Sequence, residues 1–271
     1  MKIQFIFHSS YLVTLDQCYL LFDYYMGELP ELDPEKPLYI MASHVHYDHF
    51  APVIFQLMKK YPGCVFILSD DISEELINEA LEDFGVEPRI CRVRPGSRLF
   101  FSERGELLRE LTVDADLKEA SESEASNGIS GDSPEVVIEA FGSTDQGVSY
   151  LVTAEQRSIF HSGDLNDWWW ANVPHSQNDA MKAAFLSIVD KVRDRLEGQP
   201  LDVLFLPMDP VMGEGVFHGP VEFLEEMQVR HFFPMHMWEQ YSICDRFLKE
   251  HPEFSDRFHP IRAAGDEFTL E

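Results

Sequence analysis

A run of metal-ligand side chains at the mouth of a buried strand constrains the fold of this chain more than any other stretch. Ser43-His44-Val45-His46-Tyr47-Asp48-His49 places three imidazoles and a carboxylate within six residues, directly behind the apolar run Leu38 to Ala42. In extended chain, residues two apart face the same side, so His44 and His46 can pinch one cation between them. Asp48 and His49 face elsewhere, and once the chain turns that adjacent pair can reach a second cation beside the first. A helix-like run, Phe50 to Lys60, follows until Pro62-Gly63 stops it. A solvated histidine tract would not sit between a strand and a helix, so the segment reads as a metal-binding loop in a strand-loop-helix unit.

The flanking pattern extends that unit. Lys2 to Phe7, Tyr11 to Leu15 and Tyr19 to Tyr24 read as a meander of short strands separated by Ser9-Ser10 and Asp16-Gln17. Val65 to Ser69 reads as a strand, Ser73 to Phe84 as a helix capped by Ser73, and Arg89 to Val93 as another strand, an alternation that implies an α/β architecture. The second half resumes with strands at Val136 to Phe141, Gly147 to Val152 and Ser158 to His161, then a long helix from Asp179 to Leu196. After it come a strand at Asp202 to Leu206, a helix near Pro220 to Met227, a strand at His231 to Pro234 and a last helix around Glu239 to Glu250. No fixed-period repeat is visible, but strands followed by β-α alternation occur twice. Between these halves, residues 112–134 mix Asp and Glu with Ser, Gly, Ala and Asn. The composition predicts a mobile acidic insertion within a single domain spanning residues 1–271.

Composition restricts the partners. The 271 residues are 45% hydrophobic, enough for a large core, while the formal net charge of −27 repels polyanions at long range. Extended contact with nucleic acid or an anionic membrane is therefore not expected, and a small-molecule partner is. Cys18, Cys64, Cys91 and Cys244 form no C-x-x-C pair and read as reduced core thiols. Polar residues from Gln4 to Ser10 break any signal-peptide core, and no apolar run approaches a membrane span, so the expectation is a soluble, cytoplasmic protein. Nothing in the letters determines an oligomeric state.

His44-x-His46-x-Asp48-His49 after a strand resembles, residue for residue, the signature of the metallo-β-lactamase superfamily of metal-dependent hydrolases. The resemblance implies a four-layer αβ/βα sandwich of two similar halves, with two divalent metal ions held at one edge between the sheets. It also implies where the remaining ligands lie. Phe160-His161-Ser162-Gly163-Asp164 is similar to the family motif whose aspartate bridges both metals, and His236, closing Phe232-Phe233-Pro234-Met235-His236, fits the last histidine better than His231. Where many members carry Gly-His-Thr-x-x-Gly, this chain has Gly142-Ser143-Thr144-Asp145-Gln146-Gly147. Asp145 then stands as the ligand in place of histidine, as in a branch near the ascorbate-6-phosphate lactonase type; the alternative is a first metal held by two histidines and the bridge alone.

The implied metal set is His44, His46, Asp48, His49, Asp145, Asp164 and His236. Three carboxylates make it a hard site, in which manganese rivals zinc and iron is a further option. The implied reaction is hydrolysis of a small, lactone or phosphorylated substrate by a metal-bridging hydroxide that Asp48 and Asp164 hold. The alternatives from other classes are a di-iron oxidoreductase on the same scaffold and a noncatalytic metal-binding protein. Residues of secondary interest are His8, Asp209, the run Trp168-Trp169-Trp170, and His175 and His218 as proton donors to a leaving group.

Overall fold

The computed structural model describes residues 1–82, 84–85, 87–112 and 135–271, so the acidic insertion lies outside the described residues. The chain opens with β1 (Lys2–Phe7), β2 (Ser10–Thr14) and β3 (Tyr19–Phe22), an antiparallel meander with turns at His8-Ser9, one residue earlier than the sequence suggests, and at Asp16-Gln17. From β3 the connections become parallel: β4 (Leu38–Ala42), β5 (Val65–Ser69) and β6 (Arg89–Val93) add in order. Residues of β4 and β5 are all buried, because helices cover the outer face while the second sheet covers the inner one. With β14 (Glu267–Thr269) on the open side of β1, the first sheet runs β14-β1-β2-β3-β4-β5-β6.

The second sheet repeats the plan. A β7 (Ser97–Phe101) and β8 (Leu107–Thr112) hairpin pairs with β9 (Val136–Phe141), then β10 (Ser149–Ala154) and β11 (Arg157–His161) continue antiparallel. β12 (Leu201–Pro207) and β13 (Val229–Met235) close it in parallel, in the order β13-β12-β11-β10-β9-β7-β8.

The core follows from strand alternation. Ile3, Phe5, Tyr11, Val13, Phe22, Tyr39, Met41 and Ile67 of the first sheet meet Leu99, Ile138, Tyr150 and Phe205 of the second, all essentially buried. The opposite face of the first sheet, with Ile6, Leu12, Leu21, Ile40 and Phe66, packs under the helical segments between strands through Ile54, Phe55 and Ile77. On the far side of the second sheet, Phe185, Val189 and Val192 of α2 (His175–Arg195) and Phe223 of α3 (His218–Glu226) complete the fourth layer. Each such side chain stabilises the fold by about 1.5–3 kcal/mol relative to exposure.

Several elements differ from the sequence reading for identifiable reasons. The helix expected over Phe50 to Lys60 is a 3-10 helix, Pro52–Lys59. β-branched Val53 and Ile54 weaken the α alternative. In α1 (Glu74–Leu81), by contrast, the Ser73 hydroxyl accepts from the Leu76 N–H at 3.2 Å, the cap that the sequence predicts. The last helix, α4, begins at Ile243 rather than Glu239, since Trp238 and Glu239 have φ of 48° and 57° and no helix continues through them. The sequence reading leaves β7, β8 and β14 unassigned. β8 is largely exposed and β14 has three residues, so neither carries a strong apolar period.

Candidate metal centre

Loops at the ends of β4, β9, β11 and β13, together with the β1-β2 turn, converge on one edge of the sandwich. Backbone bonds lock them to one another: Val148 N–H donates to Ser43 C=O at 2.9 Å and His236 N–H to His8 C=O at 3.1 Å. Across the buried interface the Tyr150 hydroxyl donates to Ala42 C=O at 2.8 Å, and the Tyr11 hydroxyl to Pro234 C=O at 2.6 Å. The crowding needs glycine at Gly147, where φ is 66° and an added Cβ would lie 2.0 Å from Ser43 O. Gly147→Ala is expected to destabilise the protein by roughly 3 kcal/mol and to loosen metal binding by displacing His44. Thermal unfolding and metal titration of the variant check both.

His8, Asp48, His49 and His236 form one group whose ligand atoms all lie within 4.8 Å of one another; His44, His49 and Asp164 form a second, and His46, Asp145 and Asp164 a third. All seven residues of the expected metal set are thereby brought together, and His8 joins them. Asp164 is shared by the second and third groups, as His49 is by the first and second. Asp164 Oδ2 is 3.4 Å from His44 Nε2, while its Oδ1 faces His49 Nε2 at 3.2 Å and His236 Nε2 at 3.5 Å. Asp48 Oδ2 lies 3.2 Å from His8 Nε2, 3.6 Å from His236 Nε2 and 3.9 Å from His49 Nε2. On the more open side His46 Nδ1 is 3.0 Å from His44 Nε2 and 4.0 Å from Asp145 Oδ2.

The outer partners assign the tautomers. Ser43 Oγ and the Ser43 N–H both donate to the fully buried Asp23 at 2.7 Å, so the serine proton is committed and His44 Nδ1 must donate to Ser43 Oγ at 3.0 Å. His49 Nδ1 donates to Asp23 Oδ2 at 2.7 Å and His236 Nδ1 to Asp209 Oδ2 at 2.8 Å. Three imidazoles are therefore oriented from behind, with Nε2 turned to a common space. This is how metal-ligating histidines are held. Buried His49 Nε2, His236 Nε2 and Asp164 Oδ1 have no hydrogen-bond partner, as expected of atoms shaped for a cation. The residues present fit divalent metal on that observation.

The charges agree. Burial works against the ionised Asp48, yet His8, His49 and His236 bring its pKa down to about 2. Burial likewise opposes ionised Asp164, but His49, His44 and His236 hold it well below the usual carboxylate range. His49 is pushed down by burial and raised further by Asp164 and Asp23, ending well above 6.5.

Asp23 is the functional residue that sequence reasoning missed. It stands alone at the end of β3 with no motif around it, and only the fold sets it behind Ser43 and His49. Asp209, following β12, supports His236 and also accepts from Trp238 Nε1 at 3.1 Å, rather than facing the ligands directly. The expected proton donors stand apart: His218 Nδ1 lies 3.8 Å from Asp167 Oδ2 with its ring against Trp169, and His175 is exposed at the start of α2. His231 pairs with His259 at 2.9 Å, away from the cluster. Backbone strain concentrates here, since among the described residues four of the eight non-glycine positions with positive φ are His8, Asp23, His236 and Trp238. Such conformations cost about 1–3 kcal/mol each and persist where the surroundings over-determine them.

No protein-family model and no curated protein sequence matches the chain. Solved structures do. Igni18, a metallo hydrolase from the archaeon Ignicoccus hospitalis, superposes with a TM-score of 0.58 at 13% identity over 100% of this chain and 99% of its own. The metallo-β-lactamase fold protein YhfI of Bacillus subtilis matches with a TM-score of 0.53 at 13% identity over 98% of both chains. CmlA, a diiron β-hydroxylase from Streptomyces venezuelae, reaches a TM-score of 0.60 at 10% identity over 99% of this chain, which spans 54% of that protein. Among the described residues no helix is long and apolar enough to cross a membrane. Two mixed sheets face to face between helical layers, with the histidine and aspartate groups at one edge, give this chain the metallo-β-lactamase fold.

Proposed function

We propose that this edge is a binuclear divalent-metal centre and that the protein is a metal-dependent hydrolase of a small molecule. The observation that carries the reading is Asp164, whose two oxygens face different ligand groups, the disposition a bridging carboxylate requires. His44, His46 and Asp145 would hold one ion, Asp48, His49 and His236 the other, with Asp164 shared. Bound divalent cations supply Lewis acidity and lower the pKa of water. Asp48 and Asp164 orient the attacking water, while Asp23, Ser43 and Asp209 keep the imidazoles in the ligating tautomer. A cavity of about 360 Å³ opens over Asp145, Asp164 and His236, within the size range of small-molecule sites. A purely structural metal site would close with protein ligands and needs no such space.

Protein purified without added metal, then reconstituted with Zn or Mn, tests the proposal against a panel of lactones, phosphodiesters and β-lactams. About two equivalents of metal, with hydrolysis lost on chelation and restored by metal, is the expected outcome. Failure to take up divalent metal, or turnover indifferent to chelator, overturns it. The carboxylate-rich set and the fold shared with a diiron hydroxylase favour one second reading, a di-iron oxidoreductase. Iron as the purified metal, with redox turnover, would select it. Asp145→His offers a finer check: a softer imidazole is expected to shift the metal preference from Mn toward Zn by roughly tenfold, measured by competitive metal loading.

A further inference from the structure

We infer that the substrate of this centre presents an uncharged aromatic or apolar group to a preformed tryptophan wall, and that it is not phosphorylated. The inference rests on the hydrolase reading and narrows its substrate class. The cavity over Asp164 is walled by Trp168, Trp170, Met181 and Thr144, and no Lys or Arg lines it among the described residues.

The tryptophans are held in place. Trp168 Nε1 donates to the Asp164 C=O at 2.9 Å, which ties one indole to the residue at the centre of the site. Trp170 is 37% exposed, but its backbone is clamped at both polar atoms by the buried Asn178: Trp170 N–H donates to Asn178 Oδ1 at 3.1 Å, and Asn178 Nδ2 to Trp170 C=O at 3.0 Å. A large indole left in solvent on a fixed backbone is a surface prepared for a ligand, since the ordering cost of the main chain is already met. Met181, from the second turn of α2, adds an adaptable apolar contact. Trp238, 42% exposed, packs its ring 4.1 Å from that of His8 beside the same groups.

Charge points the same way. Asp48, Asp145 and Asp164 offset three of the four positive charges that two divalent cations bring. A phosphate monoester therefore meets a floor with a single positive charge left over, walls without a cationic side chain among the described residues, and the field of a chain of net charge −27. Sites that select phosphate supply guanidinium or ammonium donors to it. An uncharged ester, amide or lactone carrying a ring or alkyl group meets none of these penalties and gains burial against the indoles.

The chain's 4 tryptophans are Trp168, Trp169, Trp170 and Trp238, so intrinsic fluorescence reports this region and little else. The test uses the metal-reconstituted full chain and a matched pair: a five-membered lactone bearing a phenyl substituent, and the same lactone bearing a phosphomethyl group. The corresponding cyclic ethers, which cannot be hydrolysed, serve as binding probes by fluorescence quenching. The phenyl ether is expected to bind at least about tenfold more tightly than the phosphomethyl ether. Trp170→Ala, in which three tryptophans still report, is expected to weaken the phenyl ether by roughly tenfold and to leave the phosphomethyl ether unchanged. Equal or tighter binding of the phosphomethyl ether, or phenyl binding unaltered by Trp170→Ala, overturns the inference. Saturable phenyl binding through Trp170 with no metal-dependent hydrolysis of phenyl-bearing lactones, esters or amides sustains the wall and removes the hydrolase reading. Lactone turnover without phenyl preference does the reverse.

Discussion

Asp164→Ala is expected to lose bound metal and turnover together, with kcat falling by roughly three orders of magnitude or more. The reason is geometric. Asp164 is the one carboxylate whose oxygens reach both ligand groups, Oδ2 toward His44 and Oδ1 toward His49 and His236. Without it the two ions of the proposed centre would lose their common ligand, and His49 loses one of the two carboxylates that balance it in the buried interior. Metal content by elemental analysis and turnover on the best substrate of the panel measure the effect. Two equivalents of metal retained by Asp164→Ala would sink the bridging assignment. Asp164→Asn refines the comparison, since the amide keeps the volume and one acceptor oxygen but removes the charge; intermediate metal content is expected.

The second large effect lies one layer behind the ligands. Asp23→Ala removes the acceptor of three buried donors, the Ser43 N–H, the Ser43 hydroxyl and His49 Nδ1. Leaving them unpaired in a fully buried position is expected to cost about 3–5 kcal/mol, a fall of about 10 °C in Tm for a chain of this size. Asp23→Asn keeps the shape and is expected to cost less stability, but its amide hydrogens meet donors, so metal affinity should still fall by roughly 10–100-fold. A pH series gives an independent readout. Burial raises the Asp23 carboxyl, but His161, His49 and His44 outweigh burial and hold it below its ordinary 3.8. A depressed acid contributes stability that is present above the unfolded pKa and lost as pH falls through the folded one. In metal-free protein the Asp23 contribution is therefore complete at neutral pH and declines below about pH 3.8, and Asp23→Asn should flatten that part of the acid unfolding curve. An unchanged Tm and acid limb for both variants would show that Asp23 supports nothing.

The candidate ligand positions were legible because each lies in a short local pattern at the end of a strand. His44 to His49 follow β4, Asp164 follows β11 and His236 follows β13, and a strand end is where α/β folds leave side chains exposed to one another. Asp145 was legible only as a departure, an aspartate where a histidine is common, and the structure places it 4.0 Å from His46. Asp23, His8 and Asp209 carry no such pattern. Asp23 and Asp209 are single acidic residues after apolar runs, and His8 reads equally well as a buried core histidine. What assigns them is contact across 20 or more residues of sequence, as from Asp23 to Ser43, from Asp209 to His236 and from His8 to Asp48. For secondary structure the division is similar. Strands buried on both faces, such as β4, β5 and β12, carry apolar runs strong enough to mark their ends. The exposed hairpin strand β8 and the three-residue β14 owe their existence to the partner strand beside them.

By itself the sequence determined that this chain builds strand-loop-helix units, that its candidate ligand residues sit at strand ends, and that it is strongly acidic. Those properties are local, fixed by side-chain periodicity, turn chemistry and charge. Only the tertiary structure decided that Asp164 divides its oxygens between two groups, that Asp23 and Asp209 set the imidazole tautomers, and that the tryptophans wall a cavity free of cationic side chains among the described residues. Each of those depends on two sheets packed face to face, which brings residues more than 100 positions apart, such as His44 and Asp164, to within 3.4 Å.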